Sequence, residues 1–270
     1  MAYRTILVEL AGDSGLEARL QTAQALARRF DAVLVGMHVM PPPFIPMADG
    51  GAVTYLAPEL IEAQRKANRE VKERVQAVFR SICGTGPTAV WQEAEGGRGQ
   101  LLAEAAHTTD LLLARRARVG STDGPDVLDD LVTAAGVPVL ALPPDISGDL
   151  GQTVLVAWNG SREATRAVHD ALPLLHAAKH VMLCAVGDQA AASLEAAAAM
   201  LRRHGLTVHS HRVDEADGDA GEVLLAQCSA QGADLLVMGA YGHARLRELV
   251  FGGATRHILR EATLPVLFSS

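Results

Sequence analysis

The chain of 270 residues contains the same pattern twice, once in each half. Residues 5–12 read Thr-Ile-Leu-Val-Glu-Leu-Ala-Gly, and residues 153–160 read Thr-Val-Leu-Val-Ala-Trp-Asn-Gly. The halves also end alike, with Val-Pro-Val-Leu-Ala-Leu at 137–142 and Leu-Pro-Val-Leu-Phe at 264–268. A repeat of this length corresponds to a whole domain rather than to one unit of a solenoid. The sequence therefore predicts two related domains, residues 1–145 and 151–270.

Short apolar runs alternate with segments of helical periodicity in both halves. This alternation predicts an α/β fold in which each half forms a five-stranded parallel sheet with helices on both faces. The composition agrees, because 49% of the residues are hydrophobic and only 4% are aromatic, as suits helices packed on a parallel sheet. Among the helices, the pattern predicts one over 57–82 and one over 189–204. The proline-containing segment 143–150 is the predicted linker.

Charge and cysteine content restrict the class of protein. The net charge is −7 and no basic block stands out, which argues against nucleic acid or an anionic membrane as a partner. No apolar run reaches the ~18 residues that a membrane span needs. Because the pattern predicts that the first strand begins at once, we expect no leader segment. The three cysteines (Cys83, Cys184 and Cys228) are far apart, which favours buried thiols in a reducing compartment, and we predict a cytoplasmic protein.

Glycines follow an apolar run in the second half. The run 235–238 predicts a buried strand, which ends at Gly239 and Gly242, and a helical pattern starts after Gly252. Glycine lets backbone N–H groups approach a ligand closely, and a helix N-terminus offers unpaired donors, so this stretch is typical of a phosphate site. The alternative is a plain glycine-rich connection. Neither a P-loop nor a dinucleotide G-x-G-x-x-G motif is present.

The topology predicts what surrounds these glycines. In an open parallel sheet, ligands bind beyond the carboxyl ends of the strands, where the strand order reverses. That rule brings residues 157–160 beside Met238 and Gly239, with Val186 alongside. We expect an apolar slot next to glycine N–H groups, which suits a base on one side and phosphates on the other.

The spacing Gly239-x-x-Gly242, nine residues, then Gly252-Gly253 resembles the G-2x-G-9x-G-[ST] motif of nucleotide-binding universal stress proteins. The resemblance covers nearly the whole chain and implies two tandem Rossmann-like (adenine nucleotide α-hydrolase-like) domains. It also implies ATP as the ligand, a regulatory role in stress response, and pairing of the two halves through their last strands as an internal pseudo-dimer. Whether two chains associate further stays open.

The resemblance also implies which residues contact the nucleotide. Those on the base and ribose side are Ala157, Trp158, Asn159, Val186 and Met238, and those on the phosphate side are Gly239, Gly242, Gly252 and Gly253. His243 is a further candidate for a phosphate contact, with a solvent-exposed loop histidine as the equal alternative. Two departures from the family pattern stand out. Asn159 replaces an aspartate, which leaves Mg²⁺ coordination open, and Gly253 replaces Ser or Thr, for which Thr255 could supply the hydroxyl.

The first half departs further from the pattern. Ala11 stands where an acid is expected, and the arginines of 115–118 stand where the glycines should start. We interpret this half as unable to bind ATP, and a solvated turn is favoured over an anion site for the arginines. The first half also carries an insertion of 24 residues, because 98 positions separate Gly12 from Asp110 and 74 separate Gly160 from Asp234. It lies around residues 41–57.

Three functions remain open at the level of sequence. The first is a non-catalytic nucleotide-binding regulator, the second is a slow ATPase, and the third is a scaffold whose glycine motif is a relic. Hydrolysis would need a metal ligand and a group that positions water, and the sequence offers no convincing acid near the motif. Trp158 either stacks on a base or packs inside the protein, and packing is favoured. His209 and His211 share one face of a strand but lack the further ligands of a zinc site.

Overall fold

The computed structural model describes residues 2–43, 53–117, 126–146, 150–214, 219–241 and 253–270. The strands are β1 Thr5–Leu10, β2 Val33–Met40, β3 Ala89–Glu95, β4 Leu111–Arg115, β5 Val139–Leu142, β6 Thr153–Ala157, β7 His180–Val186, β8 Val208–Val213, β9 Leu235–Gly239 and β10 Val266–Ser269. The helices are α1 Leu16–Phe30, α2 Val53–Cys83, α3 Arg98–Ala106, α4 Leu128–Ala134, α5 Arg162–Ala177, α6 Asp188–Ala191, α7 Leu194–Arg203, α8 Ala220–Gln231 and α9 Gly253–Glu261.

The strands form one ten-stranded sheet in the order β3-β2-β1-β4-β5-β10-β9-β6-β7-β8. Every neighbouring pair is parallel except β5 and β10, which run antiparallel with Leu140 opposite Leu267. Each half therefore contributes five parallel strands in the same relative order, and the two last strands join them. The α/β class with helix-flanked parallel sheets is confirmed. The division into domains at 145 and 151 stays a prediction.

One aspartate in each half fixes the start of the first strand. The Asp234 carboxylate accepts hydrogen bonds from the backbone N–H groups of Gly151, Gln152 and Thr153 at 2.8–3.2 Å. Asp110 does the same in the first half for the N–H groups of Arg4 and Thr5 at 2.7 and 2.8 Å. These bonds satisfy donors that would otherwise lack a partner at the strand edge. The repeated Asp-Leu-Leu sequence therefore carries a structural role in both halves.

Helices cover both faces of the sheet and bury two separate apolar layers. One layer packs α1, α2, α5 and α7 against the sheet, and the other packs α3, α4, α8 and α9 against its opposite face. Successive strand residues alternate between the layers, as Ile6 and Leu7 show, because strand side chains have a period of two. Burial on both sides explains why the strands read as continuous apolar runs.

Two helices differ from the sequence prediction. The helix predicted over 189–204 is interrupted, and α6 and α7 replace it. The interruption lies at Ser193, whose hydroxyl accepts a hydrogen bond from the Trp158 indole N–H at 2.9 Å. In the first half α2 begins at Val53, four residues earlier than predicted, and residues 44–52 of the insertion lie outside the described residues. Among the helices described, none is long and apolar enough to cross a membrane.

Candidate functional site: a cleft at the sheet edge of the second half

A cleft opens at the carboxyl ends of β6, β7 and β9. Strand β6 lies between β7 and β9, and the chain leaves β6 and β9 towards helices on opposite faces of the sheet. This is the reversal of strand order at which open α/β sheets bind ligands. The cleft encloses about 710 Å³ of space free of atoms, solvent at its mouth included.

The cleft brings together most of the residues selected from the sequence. Seven of them line it: Ala157, Trp158, Asn159, Val186, Met238, Gly239 and Thr255. Gly253 is the first residue of α9, next to Ala254, which also lines the cleft. Gly242, His243 and Gly252 lie outside the described residues. The assignment of these residues to a ligand stays a prediction, but the geometry it required is present for the described ones.

Gly239 allows two backbones to approach closely at the cleft wall. A Cβ atom at this position would lie 2.5 Å from the Ala164 nitrogen and 2.5 Å from the Glu163 carbonyl carbon. Both are backbone atoms in the first turn of α5, which cannot move aside as a flexible side chain would. Only glycine therefore lets the end of β9 sit against the N-terminus of α5, whose first N–H groups are potential anion donors.

The N-terminus of α5 is capped beside the cleft. The Ser161 hydroxyl accepts a hydrogen bond from the Ala164 N–H at 3.1 Å, and the Asn159 side-chain oxygen accepts one from the Ser161 N–H at 3.1 Å. These bonds are typical of an N-cap preceded by an Asx turn. They engage the Asn159 oxygen in the turn and leave its NH₂ group as the donor that can face a ligand.

The base of the cleft is apolar and rigid. Trp158 is 8% exposed and its indole N–H is bonded to Ser193, so it packs inside the protein and presents only part of its ring to the cleft. Cys184 and Leu224 lie deeper, both buried. Burial raises the pKa of the Cys184 thiol to about 11, so it is neutral at physiological pH. The cleft thus offers an apolar slot with polar groups at its rim.

An acid lines the cleft that the sequence reasoning missed. Glu163 lies in the first turn of α5 with its side chain 12% exposed, and Arg162 pairs with it at 3.2 Å. The sequence motif gave no signal for it, because its position in the cleft depends on which side of α5 faces the sheet edge. Tyr241 was also missed as a lining residue. It lies inside the glycine motif, between Gly239 and Gly242.

The described residues do not provide a protein-held Mg²⁺ site. Hard cations favour several carboxylate oxygens, but Glu163 is the one carboxylate among the described cleft residues. The Asn159 oxygen already accepts a hydrogen bond. Within the described ranges no group of three or more His, Cys, Asp or Glu residues could hold a metal ion.

The corresponding place in the first half is filled by buried charges. Arg115 ends β4 with its side chain 4% exposed, and its backbone N–H donates to the Glu9 carboxylate at 2.9 Å. The Arg115 and Arg98 side chains both contact the Glu9 carboxylate, with N–O distances of 3.5 and 3.4 Å. Arg19 pairs with buried Asp13 at 2.9 Å. We call Glu9, Asp13, Arg19, Arg98 and Arg115 the buried charge network.

This network occupies the positions that line the cleft in the other half. Glu9 is the fifth residue of the repeated strand pattern, as Ala157 is. Arg115 follows Ala114 as Gly239 follows Met238, and Arg98 begins α3 as Ala220 begins α8. Long charged side chains therefore stand in the first half where the second half has small residues beside its cleft.

The interpretation of the arginines at 115–118 as a solvated turn is wrong for the two that the structure describes. Arg115 and Arg116 are 4% and 6% exposed. Arg116 donates to the Leu264 carbonyl of the other half at 3.4 Å, and burial lowers its pKa to about 10. The prediction failed because β4 continues through Arg115, so both side chains are buried at the edge of the sheet and do not lie in a solvated turn. Arg118 lies outside the described residues.

Comparisons with known proteins agree with this architecture. Residues 151–269 match the Universal stress protein family. Over 79 residues the chain is 38% identical to a universal stress protein from Synechocystis sp., a match that covers 29% of this chain and only 26% of that protein's length. A universal stress protein structure from Archaeoglobus fulgidus DSM 4304 is similar over 98% of both chains, with a TM-score of 0.68 and 16% identity. A functionally unknown protein from Pseudomonas aeruginosa PAO1 is similar over 99% of this chain and 92% of its own, with a TM-score of 0.62 and 17% identity.

Proposed function

We propose that this chain is a universal stress protein, with a match to that family over residues 151–269, and that this half binds ATP or a related adenine nucleotide as a regulator of stress response. The adenine ring occupies the apolar slot beside Ala157, Val186 and Met238. The ribose and phosphates lie towards Gly239 and the N-terminus of α9. The first half binds no nucleotide and acts as a structural partner.

One observation carries this proposal: the contact between Gly239 and the first turn of α5. The backbone at Gly239 lies so close to the first turn of α5 that a Cβ atom does not fit between them. The cleft opens directly beside this contact. The approach places the first turn of α5 at the cleft wall, where its N-terminal backbone N–H groups can meet anionic oxygens.

Regulation fits the cleft better than catalysis does. Phosphoryl transfer needs a positioned metal ion and a group that orients the attacking nucleophile. In the described part of the cleft only Glu163 carries a negative charge, and its carboxylate is engaged with Arg162. A retained, unhydrolysed nucleotide is therefore the expected state of the purified protein.

The arrangement of the two halves supports an internal pseudo-dimer. The antiparallel pair of β5 and β10 joins them, and cross-half hydrogen bonds reinforce it. The Tyr3 hydroxyl donates to the Asp170 carbonyl at 2.6 Å, and Arg166 donates to the Gly136 carbonyl at 2.9 Å. In this proposal the first half replaces the second subunit of a dimer.

The test is to identify what the purified protein holds. The protein is incubated with ATP, freed of excess ligand, and denatured at intervals, and the released nucleotide is separated by chromatography. ATP recovered unchanged supports the proposal, whereas accumulation of ADP would show an ATPase. An empty site would favour the scaffold.

Two glycine variants make the same experiment specific to the site. Gly239→Ala should abolish retention, because its Cβ collides with backbone at 2.5 Å. Gly97→Ala is the matched control, since the nearest atom to its Cβ would be 4.0 Å away. Ala157→Leu fills the slot without touching that contact and should also prevent binding. Circular dichroism and thermal melting check that each variant is folded. If Gly239→Ala and Ala157→Leu both retain nucleotide, the binding site lies elsewhere.

A further inference from the structure

A side chain of the second-half cleft is bonded to the first half. The Tyr241 hydroxyl donates to the Asp129 carboxylate at 2.8 Å, across 112 positions of sequence. Asp129 lies in the first turn of α4, whereas Tyr241 lines the cleft two residues after the end of β9. The pKa of Tyr241 is raised above its ordinary range, mainly by burial and to a smaller extent by this hydrogen bond. The phenol therefore keeps its proton and remains a donor.

The backbone at Tyr241 is in an unfavourable conformation. Its φ angle is 60°, in the left-handed region that residues with a Cβ rarely adopt. The residue before it is fixed, since Ala240 is fully buried and its N–H donates to the Ser269 carbonyl at 2.8 Å. The chain therefore changes direction at Tyr241, immediately after the last position that the sheet holds in place. Strain of this kind persists only where surrounding contacts over-determine it.

We propose that Asp129 is a positioning residue for the nucleotide cleft: it holds Tyr241 in its left-handed conformation and thereby keeps the cleft wall in its binding-competent form. The first half, which has a filled site of its own, thus completes the site of the second half. This inference rests on the proposed nucleotide function.

The effect on binding follows from the population of that form. When Asp129 no longer accepts the hydrogen bond, Tyr241 relaxes towards an ordinary backbone region in part of the molecules. The apparent Kd then rises in inverse proportion to the competent fraction that remains. The bond joins a half-buried phenol to a carboxylate at the surface, so we expect about a fivefold increase in Kd, equivalent to about 1 kcal/mol.

The experiment measures Kd for ATP by isothermal titration calorimetry with the full chain, four single variants and one double variant. Asp129→Ala removes the acceptor, and Asp129→Asn keeps an oxygen that accepts the phenol proton. Tyr241→Phe keeps the ring and removes the donor. Asp130→Ala is the matched control, because it removes the same charge from the same helical turn without losing this bond. The double variant of Asp129→Ala and Tyr241→Phe closes a mutant cycle.

The proposal expects weaker binding for Asp129→Ala and Tyr241→Phe, near wild-type binding for Asp129→Asn and Asp130→Ala, and a double variant no worse than either single one. Thermal melting of the same variants shows that each is folded at the temperature of the titration, so that weaker binding in Asp129→Ala is not a loss of folded protein. An unchanged Kd in Asp129→Ala, or equal losses of affinity in Asp129→Ala and Asp130→Ala, would overturn this inference and leave the proposed function standing. A wild-type chain that binds no adenine nucleotide would instead overturn the proposed function together with it.

Discussion

Glu9→Gln tests whether the buried charge network stabilises the first half. The Glu9 side chain is 1% exposed and faces Arg98 and Arg115 at 3.4 and 3.5 Å. Glutamine has the same shape and still offers an oxygen to the Arg115 N–H. The change therefore removes one negative charge from the buried charge network without opening a cavity.

The expected loss of stability is large for so small a substitution. Removing one partner of a buried ion pair costs roughly 3–5 kcal/mol, because the other charge stays buried without compensation. Here the retained hydrogen bond and Asp13, which lies 4.0 Å from Arg115, offset part of that cost. We expect about 3 kcal/mol, which lowers the Tm of a domain of this size by roughly 6–12 °C.

Differential scanning fluorimetry or calorimetry measures the change, with Asp31→Asn as the control. Asp31 pairs with Arg4 at the surface, where its carboxylate is 99% exposed, and asparagine tolerates its left-handed backbone. The control should melt like the wild type. A Glu9→Gln variant with the Tm of the wild type would refute the reasoning. The negative charge of Glu9 would then contribute nothing to the free energy of unfolding that a neutral side chain does not.

Two further predictions concern the apolar base of the cleft. Burial raises the pKa of Cys184 to about 11 and of Cys228 to about 12, from an ordinary value of 9.0, so iodoacetamide at pH 8.5 should alkylate them only after unfolding, as mass spectrometry can detect. Rapid labelling of the native protein would contradict the assigned burial. Since the pKa of each thiol is higher in the folded than in the unfolded state, the free energy of unfolding should also fall as pH rises above about 9. Ser193→Ala should lower the unfolding free energy by about 1 kcal/mol through loss of the bond to Trp158, and Trp158→Phe should lower it further because it also leaves a cavity. Denaturant titration of both variants and of the double variant measures the losses, and strictly additive losses would contradict the bond.

Much of the fold could be predicted from sequence because the pattern is regular. Both halves repeat an apolar strand, a helix and an aspartate before the fourth strand, and the structure explains the aspartate through its backbone hydrogen bonds. The cleft residues could be selected because strand ends in a parallel sheet meet at one edge. Periodicity and topology were sufficient for Ala157, Met238 and Gly239.

The features that sequence could not predict depend on long-range packing. Nothing local distinguishes Arg115 in a buried network from an arginine in a turn, since its carboxylate partners Glu9 and Asp13 lie 106 and 102 positions away. Glu163 was overlooked because its role depends on which side of α5 faces the cleft. The contact between Tyr241 and Asp129 required the relative placement of the two halves. In each case the missing information was a tertiary contact rather than a residue type.

The number of nucleotides bound per chain tests the central claim most directly. Calorimetric titration with ATP should give one site per chain, because the cleft beside Gly239 is open and its counterpart around Arg115 is filled. Two sites per chain would contradict the assignment of the first half as closed. A single site whose affinity is unchanged in Gly239→Ala would contradict the place given to it in the second half.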